Sequence, residues 1–281
     1  VANAFTLSGI GYTETAGNLG AIRLAGATVS GPITLKGDTR ITAHGSTGTL
    51  SGNIGELGGE YGLELSNYST AGDSTITVSG DNSYGYGTTV KGAVVIANHN
   101  HAFGTGTVTI QSNGTAARTT RVQLGTNIEL PVDNDFVLDS DAGTGVSAST
   151  SYAGDNTTVS TAIVNGPVEI LKKVGGGGHS ASTKGSASVL RVIGAVTSPN
   201  GVSVVIGQGT VELGGGGTYA AIEIADGKLK LANSNGLCTT STLAIGTSGT
   251  VGDTGTFDLN GYNQTLTGLL AGARPASVTN T

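Results

Sequence analysis

Ser74-Thr-Ile-Thr-Val-Ser-Gly-Asp-Asn-Ser-Tyr84, then Gly87-Thr-Thr-Val-Lys-Gly-Ala-Val-Val-Ile96, then Ala102-Phe-Gly-Thr-Gly-Thr-Val-Thr-Ile110 decide the fold class of this chain. Within them Ile76-Thr-Val78, Val94-Val-Ile96 and Val108-Thr-Ile110 each place two apolar side chains on one face of an extended segment, because strand side chains alternate with period two. Gly, Asn and Ser separate the runs and supply turn conformations. Strands this short cannot each own a core, so they must stack on one another.

The same pattern extends in both directions. Phe5-Thr-Leu7, Ile33-Thr-Leu35 and Val122-Gln-Leu124 flank the opening stretch. Val168-Glu-Ile170, Val202-Ser-Val204, Val211-Glu-Leu213, Leu229-Lys-Leu231, Leu243-Ala-Ile245 and Phe257-Asp-Leu259 continue it. Two architectures suit many short strands with glycine-rich turns. One is an antiparallel sandwich, for which Asn113-Gly114, Asn165-Gly166, Asn200-Gly201, Asn235-Gly236 and Asn260-Gly261 supply hairpin turns. The other is a solenoid, which an unbroken run of similar, weakly charged units favours.

Sliding the sequence on itself by 135 residues lays 75–124 over 210–259 without a gap. Gly80 then falls on Gly215, Tyr84 on Tyr219, Gly92 on Gly227, Ile110 on Ile245 and Leu124 on Leu259. A period of this kind points to a tandem duplication, with a first half at 1–135 and a second at 136–281.

Composition narrows the function classes. The 281 residues include 49 glycines, 37% hydrophobic residues and only 11% charged ones, a balance suited to strands and turns with a continuous core. A net charge of −6 leaves no basic stripe for nucleic acid or an anionic membrane. No apolar run approaches the ~18 residues of a membrane-spanning helix. Cys238 is the single cysteine, so no intrachain disulfide forms. The chain has no Met, even at position 1, which is expected of an exported protein cleaved before Val1 or of a segment of a longer one.

The quoted segments 74–84, 87–96 and 102–110 resemble the autotransporter-associated β-strand repeat, also called the passenger-associated transport repeat. That family's pattern is a strand, Ser-Gly-x-Asn-x-Tyr, Gly-x-Thr, a further strand and an Ala-Leu-Gly-x-Gly stretch. Thr210 to Ile245 keeps the strands and Tyr219 but lacks the Gly-x-Thr, and Phe257 to Gly272 is similar to the segment that follows in the family. The resemblance implies a right-handed parallel β-solenoid carried to the bacterial surface. The family's translocating barrel has no counterpart here.

Candidate sites are few. Asp133, Asp135, Asp139 and Asp141 offer hard oxygen ligands for Ca²⁺, but their spacing matches neither an EF-hand loop nor the Gly-rich nonapeptide repeat and reads rather as a solvated junction loop. His99 and His101 are two apart and suit Zn²⁺ or Cu²⁺, but no third ligand is visible in the sequence. Cys238 aligns with Phe103 and is expected to be a small buried hydrophobe. Gly175 to Gly178 and Gly214 to Gly217 lack the Gly-Lys-Ser/Thr ending of a phosphate loop and read as turns. Asn67, Asn113, Asn156 and Asn263 begin glycosylation sequons, which an Asn- and Thr-rich chain produces by chance. No cofactor is implied.

Both ends are expected to be uncapped strands. Ala276 to Thr281 stops where the resembling family begins another coil, and Ala4 to Gly9 has the character of that next coil. Joining through Ala4, Phe5, Thr6, Leu7 and Ser8 of one copy and Ser277, Val278, Thr279 and Asn280 of another would satisfy both edges. The expected function is therefore a non-enzymatic subunit of an extracellular or cell-surface fibre whose partner is itself, with surface glycans or other cells as further partners. An autotransporter-type adhesin passenger and a polysaccharide-degrading β-helix enzyme are the alternatives.

Overall fold

The computed structural model describes residues 1–15, 17–68, 73–111, 120–140, 148–152, 161–172, 179–183, 189–198, 204–206, 209–225, 227–247 and 254–281. Among them the chain is all β, without a helix, and short strands stack in parallel as a β-solenoid. Every described ladder is parallel except the two-residue pairing of Thr13–Glu14 with Gly17–Asn18, which rules out the sandwich. Asn235 and Asn260 turn the chain at φ values of 51° each without forming hairpins. The chain divides into two compact units, one of residues 1–125, 133–149 and 173–177, the other of residues 126–132, 150–172 and 178–281.

In the first unit one ladder runs through Phe5–Gly9, Ile33–Thr42, Leu63–Ser66, Thr88–Lys91, Val108–Gln111 and Phe136–Ser140. A second runs through Thr28–Val29, Thr47–Leu50, Thr75–Val78, Val94–Ala97 and Thr120–Leu124. Registers align the apolar positions into rows. Ile41, Leu65, Val90, Ile110 and Leu138 form one row, and Val29, Leu50, Val78, Ala97 and Leu124 another, all buried. Each fully buried Leu, Ile or Val contributes about 1.5–3 kcal/mol relative to exposure, so the rows rather than any single strand carry the stability.

One strand departs from its expected facing. Val94 and Ile96 are half-exposed, and Val95 and Ala97 point inward, in register with Ile76 and Val78. The run Ala93-Val-Val-Ile-Ala97 is apolar at both parities, so its alternation cannot choose a face; the ladder register chooses it. The expected facing holds at Val108 with Ile110, Val122 with Leu124 and Val211 with Leu213, whereas in the run Phe257-Asp-Leu259 Asp258 is buried and Leu259 only half-buried. Residues 202 and 203 of the expected Val202-Ser-Val204 run lie outside the described residues, and the strand is Val204–Ile206.

Turn polar groups lock successive coils. Asn82 is buried; its Oδ1 accepts from the Ile54 amide at 2.8 Å, 28 residues earlier, and its Nδ2 donates to the Ala102 carbonyl at 2.7 Å, 20 residues later. Tyr84 is enclosed in the core, its hydroxyl 2.5 Å from Thr88 Oγ1, which itself donates to the Phe103 carbonyl. In the second unit Tyr219 takes an equivalent place, accepting from the Cys238 amide at 2.7 Å. Buried polar groups so paired avoid the desolvation cost of orphaned ones.

The second unit contains the ladder Glu129–Leu130, Thr161–Val164, Val189–Val192, Thr210–Leu213, Gly227–Leu231, Gly255–Asp258 and Ala276–Thr279. Another of its ladders ends in Val204–Ile206, Ala221–Ile224, Thr242–Ile245 and Gly268–Ala271. Their inward rows include Ala162, Leu190, Val211, Leu229 and Phe257 in the first, and Ile222 with Leu243 in the second.

Candidate functional site

Both of these rows run out at their last strands. Leu269 continues the row of Ile222 and Leu243, and Val278 that of Leu229 and Phe257. Leu243 is fully buried whereas Leu269 is 56% exposed; Phe257 is 3% and Val278 49% exposed. Leu270 beside them is exposed as well. Ile245, Leu269, Leu270, Ala271, Ala276, Ser277 and Val278 line an open cleft of about 200 Å³, which is the interior of the solenoid reaching solvent. Ala276–Thr279 and Gly268–Ala271 each end their ladder, so each leaves one strand edge without a described neighbour.

Beside this apolar surface a charged row ends. Arg191, Glu212, Lys230 and Asp258 lie in register on successive strands, with Arg191 Nε 2.6 Å from Glu212 Oε2. Thr279 is the next position, and its hydroxyl is buried without a hydrogen-bond partner among the described residues. Asp258 is buried and accepts from the Thr281 amide at 3.1 Å and the Thr281 hydroxyl at 2.6 Å. Burial alone would raise its pKa, but hydrogen bonds from Thr281 and the Asn260 amide, with Lys228 nearby, outweigh that and hold the carboxyl at about 2.

Of the expected contact residues, Ser277 and Thr279 are half-buried and Val278 and Asn280 exposed. Ser277 Oγ meets Thr256 Oγ1 at 3.0 Å, and Asn280 Oδ1 accepts from the Gly261 amide. At the other end of the sequence, Phe5–Gly9 is the last member of its ladder, with Phe5 and Leu7 half-buried over Ile33 and Leu35 and Ala4, Thr6 and Ser8 exposed. The first coil buries its own Leu19, Leu24 and Val29, with Leu24 seated over Gly48 and the Leu19 carbonyl taken by Thr42. Leu269 and Leu270 were missed as edge residues, although an adjacent Leu-Leu pair, which puts an apolar side chain on both faces of a strand, was the available signal.

The remaining candidates separate clearly. Asp133 and Asp135 are exposed in a turn, Asp139 is half-buried on its strand, and Asp141 lies outside the described residues; the described three belong to no group of metal-ligating side chains. His99 and His101 occupy a turn and are joined there by Asp81. Cys238 is buried, its sulfur 3.2 Å from Thr240 Oγ1. Gly217 pairs with Val196 in a ladder, and residues 175–178 lie outside the described residues. The sequon residue Asn67 is buried, Asn263 is exposed, and Asn113 and Asn156 are not described. A shallow groove of about 340 Å³ includes Asp38, Glu64, Tyr86, Thr89 and Thr109. Comparison with protein-family models, with curated proteins and with solved structures returns no match.

Proposed function

We propose that this chain is a non-enzymatic structural subunit of a bacterial extracellular or cell-surface fibre that grows by strand addition between copies. The observation that carries the reading is the open end of two core rows at Leu269 and Val278. The occupant is the segment Ala4 to Ser8 of a second copy. It is extended, ends its own ladder, and presents Phe5 and Leu7 at the period-two spacing an open row requires. Two different surfaces meet in such a head-to-tail contact, which propagates as a filament when its rotation does not close a ring. Export to the surface and the autotransporter-repeat resemblance belong to the same reading. The test is negative-stain electron microscopy of the purified chain, with and without residues 1–9 and with Val278→Asp. Filaments that vanish in both variants support the proposal; monodisperse particles from the unaltered chain overturn it.

A further inference from the structure

Asp81 is far enough from His99 and His101 in sequence that only the stacking of coils brings it to them. Thr75–Val78 pairs with Val94–Ala97 residue for residue, so the turns that leave these strands lie one above the other. The upper turn is fixed at several points. Asn98 donates its amide to the Val78 carbonyl at 2.8 Å, the Ala102 amide donates to the His99 carbonyl at 3.1 Å, and buried Asn82 donates its amide to the His101 carbonyl and its Nδ2 to the Ala102 carbonyl. Below, the Asp81 amide is held by Asn53 Oδ1 at 3.0 Å. The three side chains therefore rise from a backbone that is already ordered.

His101 Nδ1 stands 2.7 Å from Asp81 Oδ1 and His99 Nδ1 3.9 Å from the same oxygen. The two rings meet edge to face with centroids 5.7 Å apart. One ligand atom from each residue lies within 4.8 Å of the others, and this is the group of three metal-ligating side chains found among the described residues. Tetrahedral zinc, with bonds of about 2.0–2.2 Å, needs ligand atoms roughly 3.3 Å apart, so rotations of exposed side chains suffice to bring these three into position. His99 Nδ1 would exchange its present contact with the His101 amide, at 3.1 Å, for the metal.

We propose that Asp81, His99 and His101 form a surface site for a divalent transition metal, Zn²⁺ or Cu²⁺, with water completing the coordination. Two imidazoles with one carboxylate suit these borderline cations and disfavour Ca²⁺ and Mg²⁺, which require mainly oxygen ligands. None of its three residues belongs to the strands proposed for strand addition.

Isothermal titration of Zn²⁺ into the full chain, freed of metal by chelation and carrying no polyhistidine tag, tests this. One saturable equivalent is expected, with no heat from Ca²⁺. His99→Gln, His101→Gln and Asp81→Asn should each weaken binding about tenfold or more. Because all three side chains are partly exposed, circular dichroism should find these variants folded, and the visible bands of bound Co²⁺ report the same loss independently. Absence of saturable zinc binding by the unaltered chain, or binding that His101→Gln leaves unchanged, overturns the proposal.

Discussion

Val278 pairs in register with Phe257, yet Phe257 has a strand on each side of it and Val278 has one on only one side among the described residues. Chemically similar positions in one row therefore differ in energy. Leu229→Ala or Phe257→Ala should destabilise the chain by about 2–5 kcal/mol through lost burial and a residual cavity. Val278→Ser, at a half-exposed site, should cost under about 1 kcal/mol. Urea unfolding of the three variants measures the contrast; equal losses would mean that Val278 is covered in solution.

Asn82 joins three coils through one side chain. Asn82→Ala leaves the Ile54 amide and the Ala102 carbonyl unpaired in the interior, each worth about 1–3 kcal/mol. A loss of roughly 3 kcal/mol in chemical denaturation is expected, larger than for any exposed asparagine such as Asn263.

The buried tyrosines should respond differently to loss of the hydroxyl. Tyr84→Phe removes a bond to Thr88, which retains the Phe103 carbonyl, so a cost near 1 kcal/mol is expected. Tyr219→Phe strands the Cys238 amide and should cost more, about 1–3 kcal/mol. Thermal melts of the two variants, compared with the parent, rank them.

Asp258 makes stability depend on acid. Its folded pKa of about 2 lies below the ordinary value of 3.8, so between these the unfolded chain binds more protons and stability falls as pH falls. The contribution, about 2 kcal/mol, is complete above pH ~4 and is lost on approach to pH ~2. Asp258→Asn should lower stability at neutral pH and flatten the acid limb of a stability-against-pH curve; an unchanged limb would assign acid sensitivity elsewhere.

Two glycines are required for different reasons. A Cβ at Gly48 would lie 2.5 Å from Leu24 side-chain atoms, whereas at Gly87, with φ of 95°, it would meet the Thr107 backbone. Gly48→Ala should cost about 1–3 kcal/mol, part of which Leu24→Ala relieves in the double variant. No side-chain truncation should relieve Gly87→Ala. Double-mutant cycles by denaturant unfolding separate the two.

The sequence by itself determined that this chain is built from short, half-buried strands broken by turns, because period-two alternation and the placement of glycine and asparagine are local properties. It also marked Cys238 as interior. What it left open shares one physical cause. Coils here differ in length, with Asn82 reaching 28 residues back but 20 forward, so no fixed period tells which turns stack. That is why Asp81 was invisible as a partner of His99 and His101, and why the all-apolar run 93–97 could not reveal its inward face. Parallel stacking against an antiparallel sandwich, the burial of Leu19 and Leu24 in the first coil, and the exposure of Leu269 and Val278 were decided only in three dimensions. Each depends on which strand lies next in the ladder, a contact between residues distant in the chain.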